Sequence, residues 1–153
     1  MRLSQRLKGF QRTKYKSIDF HGHALEVYVP TRNEMQSLMQ KCTAPPQELI
    51  DEHFGRLTTS LWRTSTPEDD GIEVKGDDVI VQGQSLRTTA RWLAILQLRE
   101  VAMIGLVGFI EGNDVFALGY DEISQELSEA DIKELVAAVE AVVKPDYKAT
   151  EKN

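Results

Sequence analysis

Between residues 86 and 106 apolar side chains recur too densely for one face of a helix. Leu86, Ala90, Leu93, Ile95, Leu96, Leu98, Val101, Ile104 and Leu106 point in several directions around a 3.6-residue repeat. A surface helix carries one apolar stripe, so a helix clad this widely is expected to be central, with the rest of the chain packed around it. Ser85 is placed to cap its start. Gly105 and Gly108 leave its end open, since each costs about 1 kcal/mol against alanine in a helix interior yet permits close packing.

Upstream the periodicity is different. Over residues 15–29, Ile18 and Phe20, then Leu25, Val27 and Val29, alternate with polar positions on either side of His21-Gly22-His23, which predicts a β-hairpin. Gly22 supplies the positive φ of the turn, and Pro30 ends the second strand by removing a donor. Thr31 followed by Glu34 is a capping-box pattern that starts a short helix through Met35, Leu38 and Met39, stopping near Cys42. Thr43-Ala44-Pro45-Pro46 breaks the chain, and Leu49, Ile50, Phe54, Leu57, Leu61 and Trp62 then give a second amphipathic helix, slightly weakened by Gly55. Residues 65–71 read as a polar acidic loop, and residues 72–81 as a second small hairpin around Gly76. No element is assigned over residues 111–120. Ser128 caps a final helix whose inward face is Ile132, Leu135, Val136, Val139, Val142 and Val143, with Glu129 and Asp131 in its first turn, where the helix dipole favours acids. Together these elements predict an α+β fold, mostly helical, with a small N-terminal antiparallel hairpin and a second one before the long helix.

A chain of 153 residues is long enough to bury roughly 70% of its unfolded surface in one core. The expected organisation is a basic arm over residues 1–14, one globular domain over residues 15–144 and a disordered tail over residues 145–153. Cys42 is the only cysteine, so no intramolecular disulfide forms. The longest apolar run, residues 103–110, falls short of the roughly 20 residues that span a bilayer, and no secretory signal pattern opens the chain, so a cytosolic location is expected. The net charge of −6 conceals a segregation: residues 1–16 hold six basic groups and no acid, leaving 12 basic against 24 acidic groups in the rest. An acidic body of this kind opposes nucleic acid, while the arm is free to reach an acidic partner, a phosphate backbone or the body itself.

No motif in the chain carries a recognisable chemistry. His21, His23, His53 and Cys42 are the residue types that suit zinc, but nothing in their spacing brings His53 or Cys42 to the His-x-His pair. Cys42 lacks the local signature of a nucleophile. The acidic groups Glu68-Asp69-Asp70 and Asp77-Asp78 lack the spacing of a calcium loop, and the glycines at 105, 108 and 112 form no phosphate-binding pattern. Phe10 and Tyr15 interleave the basic arm too sparsely for a base-stacking platform. The expectation is a chain with no catalytic residue, no cofactor and no metal site. An enzymatic alternative would have to assemble a site from distant residues such as His53, Asp77 and Glu100. What remains is surface: Trp62, Trp92, Met35, Met39 and Met103 lie at helical spacings and are residue types that serve both cores and adaptable interfaces, with core the expected role for most.

The succession from Ile18 to Cys42, a short strand, a glycine turn, a second strand ending Val-Pro-Thr and a helix opening Arg-Asn-Glu-Met, resembles the opening of the phage tail assembly chaperones. The resemblance is topological and extends over residues 18–143, with the second hairpin at residues 72–81 as a departure. It implies a non-catalytic protein of the host cytosol that binds the long tape-measure protein, keeps it soluble and helps recruit tail-tube subunits. Many members of that family also have a longer frameshifted form, to which the tail over residues 144–153 would lead, and chaperones of apolar clients often self-associate to cover their own binding faces. Partner binding is expected on the exposed members of two helical faces, Met35, Leu38 and Met39, and Leu57, Leu61 and Trp62; if buried, these are core instead. The alternative is a small adaptor whose basic arm contacts nucleic acid or an acidic partner.

Overall fold

The computed structural model describes residues 2–143. The element order is α1 (Leu3–Arg6), β1 (Tyr15–Phe20), β2 (His23–Tyr28), α2 (Arg32–Thr43), α3 (Gln47–Trp62), β3 (Ile72–Lys75), β4 (Asp78–Val81), β5 (Gln84–Ser85), α4 (Leu86–Gly105), α5 (Tyr120–Glu126) and α6 (Glu129–Val143). The fold is α+β and mostly helical, with an antiparallel hairpin near the N-terminus. The tail expected over residues 145–153 lies outside the described residues. The described residues group into two compact units, one made of residues 2–35 and 101–143, the other of residues 36–100.

In the first unit β1 and β2 pair from Tyr15↔Tyr28 to Phe20↔His23. The two-residue turn His21-Gly22 has positive φ at both positions, 51° and 80°, the geometry whose twist matches that of paired strands. The capping box of α2 forms in both directions: the Glu34 amide donates to Thr31 Oγ1 at 3.2 Å and the Thr31 amide to Glu34 Oε1 at 2.9 Å. Beyond α4 the chain returns along β2. The Tyr28 amide donates to the Leu106 carbonyl at 2.9 Å and the Gly108 amide to the Glu26 carbonyl at 2.8 Å. That return explains both glycines at the end of α4. Gly108 adopts φ of 68°, and a Cβ on Gly105 would lie 2.2 Å from the Val115 carbonyl oxygen. Ile18, Val27, Tyr28, Val101, Met103, Leu106, Ile123, Ile132, Leu135 and Val139 are buried here, and α6 packs against β1. Ser128 caps α6 by accepting from the Asp131 amide at 3.1 Å. Two short helices, α1 and α5, were not foreseen; α5 starts at Gly119 without a side-chain cap.

In the second unit Ile50 of α3 packs with Ala90 and Ala94 of α4, and Leu49, Phe54 and Leu57 close around them. β3 and β4 pair from Ile72↔Val81 to Lys75↔Asp78 around Gly76, as expected of the second hairpin. β5 then adds to β4 through a second tight turn, Gln82-Gly83, whose φ values are 53° and 79°. Asp78 joins this small sheet to α4. Its Oδ1 accepts from the Val79 amide at 2.7 Å and the Arg87 amide at 3.1 Å, and its Oδ2 accepts from the Ser85 hydroxyl at 2.5 Å. Ser85 Oγ in turn accepts from the Thr88 amide at 3.1 Å, the capping role its sequence position predicts. Arg87 lies 4.1 Å over the Phe54 ring and pairs with Asp51 at 3.0 Å.

Candidate functional site

The residues expected to bind a partner differ in what they offer. Leu38 is buried. Met35, Met39, Leu57 and Leu61 are half-buried, each with part of its surface committed to packing. Trp62, at the last position of α3, is 36% exposed and is the most accessible of the six. The larger apolar surface lies on α4, where Trp92 is 61% and Leu96 48% exposed. Four residues apart, they are neighbours on one helical face. Val74 of β3 is also exposed in the same unit, as are Leu3, Leu7, Phe10 and Ile110 in the other. Trp92 stood out in the sequence by residue type. Leu96 did not, because in a helix with so many apolar positions nothing local separates the exposed ones from the covered ones.

The basic arm is partly engaged by the acidic body. Arg12 donates through Nη1 to the Val29 carbonyl at 2.6 Å and through Nη2 to the Tyr28 hydroxyl at 2.8 Å, and stands 3.7 Å from Glu34 and 3.8 Å from Glu111. Lys14 pairs with Glu111 at 3.1 Å. The Tyr28 hydroxyl, on a buried ring, faces both Glu34 oxygens at 2.9 and 3.0 Å, so it accepts from the arginine and donates to the carboxylate. Burial pushes the Tyr28 pKa up, as does the bond to Glu34, while Arg12 opposes. The Glu34 carboxyl is held below its ordinary range, first by the Thr31 amide and, against its own partial burial, by Tyr28 and Arg12. Arg12 and Lys14 therefore hold the arm against the body, engaging two of the six cations of residues 1–16 in internal ion pairs.

Among the described residues His21, His23, His53 and Cys42 do not form a common group of metal-ligating side chains. His53 Nε2 lies 2.8 Å from the Gln97 amide oxygen, and Cys42 is buried. Among the described residues, one group of three metal-ligating side chains converges: His21 of the first turn with Asp131 and Glu134 of α6, all three donor atoms within 4.8 Å of one another. His53, Asp77 and Glu100 form no such group. Sequence reasoning missed the His21 cluster because a turn residue and a helix more than a hundred positions later share no local pattern; Asp131 and Glu134, three apart on one helical face, were the only visible half. Among the described residues no helix is long and apolar enough to cross a membrane. Comparison with known protein families, with curated proteins and with solved structures finds no match to this chain.

Proposed function

We propose that the protein is a non-catalytic assembly chaperone of a long-tailed phage or prophage, working in the host cytoplasm, where it binds the tape-measure protein and helps recruit tail-tube subunits. The observation that carries this reading is the pair Trp92 and Leu96, large apolar side chains left open to water on one face of a long helix. Singly exposed apolar residues are ordinary, but an aromatic and an aliphatic residue side by side on a helix suit the apolar stripe of a helical client. The plan of a small hairpin followed by helices fits the same reading. The half-buried Leu57 and Leu61, with Trp62, extend the apolar surface available to a client along α3.

The test is co-expression with the largest helical, apolar reading frame downstream of the gene, against that client expressed alone. The client is expected in the soluble fraction, bound to the wild-type protein, and in the pellet with the W92A/L96A variant, whose own unfolding midpoint stays at the wild-type value. A client that remains insoluble with the wild-type protein overturns the chaperone reading. Binding of nucleic acid that weakens steeply with salt and disappears on removal of residues 1–16 would establish the adaptor alternative instead.

A further inference from the structure

We infer that His21, Asp131 and Glu134 form a binding site for one divalent transition-metal ion of the zinc type, which ties the turn of the first hairpin to the first turns of α6. The site stands apart from the proposed function and would hold whatever the client. His21 Nε2 lies 3.2 Å from Asp131 Oδ1 and 3.1 Å from Glu134 Oε2. A ring nitrogen carries at most one hydrogen, and one N–H points straight at only one acceptor. Two carboxylates on the same nitrogen therefore cannot both take its hydrogen, and they bring two negative charges close together. A shared cation resolves both. Ligands bound to zinc at about 2.0–2.2 Å stand roughly 3 to 3.5 Å from one another, so the nitrogen already sits at ligand spacing from each oxygen.

The surroundings hold the ligands in place, and among the described residues His21 is the basic group that faces the two carboxylates. Asp131 and Glu134 share a face of α6, whose start is fixed by the Ser128 cap on the Asp131 amide. The imidazole stands edge-on against the Phe20 ring, centroids 4.5 Å apart at 89°. β1, which leads into the turn, packs on α6 within the same compact unit. The nearest lysine on the helix, Lys133, pairs with Glu129 instead. The ligand set selects the ion: one imidazole with two carboxylates suits zinc and its neighbours, whereas calcium and magnesium prefer an all-oxygen shell. Three protein ligands leave a fourth tetrahedral position for water, and the side chains of His21 and Glu134, 54% and 57% exposed, keep it open to solvent.

Zinc chloride titrated into the untagged full-length protein tests the site by calorimetry. One ion per chain is expected, with a rise in melting temperature on loading. His21→Asn removes the ligand while keeping a residue tolerant of the left-handed turn, and D131N/E134Q removes the two carboxylates; each is expected to weaken zinc binding roughly tenfold or more. His23→Asn and His53→Asn are expected to bind as the wild type does. The wild-type protein gives an answer that does not depend on any variant folding: cobalt, added in place of zinc, should selectively shift or broaden the His21 ring signals in the proton NMR spectrum. No uptake of zinc up to about 1 mM, binding that survives His21→Asn, or cobalt effects centred on His23 or His53 would each overturn the assignment.

Discussion

Replacing Asp78 by alanine is expected to loosen the unit that carries α3 and the small sheet far more than the change of one part-exposed acid suggests. The carboxylate is the acceptor for three donors at the junction of β4, β5 and α4: the amides of Val79 and Arg87 and the hydroxyl of Ser85. Loss of a helix-capping acceptor costs about 0.5–2 kcal/mol, and a hydrogen bond to a charged group about 1.5–3 kcal/mol before water substitutes for it. Because solvent reaches this site once the side chain is gone, the expected total is about 2–3 kcal/mol. Trp62 and Trp92 both lie in this unit, so tryptophan fluorescence follows its unfolding directly. With a slope of about 1–2 kcal/mol per molar, the urea midpoint should fall by roughly 1–2 M. Asp77→Ala is the control: that side chain is 87% exposed and its carboxylate stands 3.6 Å from Arg87 Nε, so a change within about 0.5 kcal/mol is expected. Acid supplies a second arm. Burial pushes the Asp78 carboxyl up, but the bonds from Ser85, Arg87 and Val79 outweigh it and hold the group below its ordinary value. A depressed folded-state pKa adds stability that is complete above the unfolded value of about 3.9 and is lost as pH falls through the folded one. The gap between wild type and Asp78→Asn should therefore narrow below about pH 4. Equal midpoints for Asp78→Ala and Asp77→Ala, or a gap unchanged by acid, would refute the reasoning.

Two further changes test the packing. Tyr28→Phe removes the hydroxyl that links Arg12 to Glu34 and is expected to cost about 1–2 kcal/mol in thermal unfolding and to speed trypsin cleavage at Arg12; an unchanged digestion rate would mean that the arm is not held through this residue. Gly105→Ala would drive a methyl group into the Val115 carbonyl and should cost about 2 kcal/mol or more, whereas Gly55→Ala, with open space in the middle of α3, should stabilise by about 0.5–1 kcal/mol; the opposite order in melting temperature would contradict the close approach at the end of α4.

The legible parts of the fold are those whose signals are local. The hairpin at residues 15–29 was readable because its alternation and its glycine turn are contiguous, and α2 because Thr31 and Glu34 stand three apart before an apolar helix. β5 escaped because a strand of two residues has no periodicity, and because Gln82 takes a positive φ that its residue type does not advertise. α5 escaped for a related reason: seven residues behind Gly119 offer neither a side-chain cap nor a long stripe. The end of α4 was left open in sequence because the reason for Gly105 is Val115, a residue of the returning loop. The His21 cluster is the extreme case, since its two halves meet only through tertiary packing.

The density of apolar residues in α4 predicted a covered helix, and the covering is uneven. Val101, Ala102, Met103 and Ile104 are all buried, while Trp92 and Leu96 are open. Together that pair leaves roughly 200 Å² of apolar surface in water, worth about 5 kcal/mol if a partner covered it completely. Association costs about 4–15 kcal/mol in lost freedom, so these two residues cannot by themselves hold a stable complex. A client must cover more, and Trp62, with the half-buried Leu57 and Leu61, offers further apolar surface on α3 of the same unit. Binding divided among several modest contacts also has a consequence for a chaperone: each can be surrendered in turn as the client passes to its final neighbours, whereas a single deep anchor would have to be released at once.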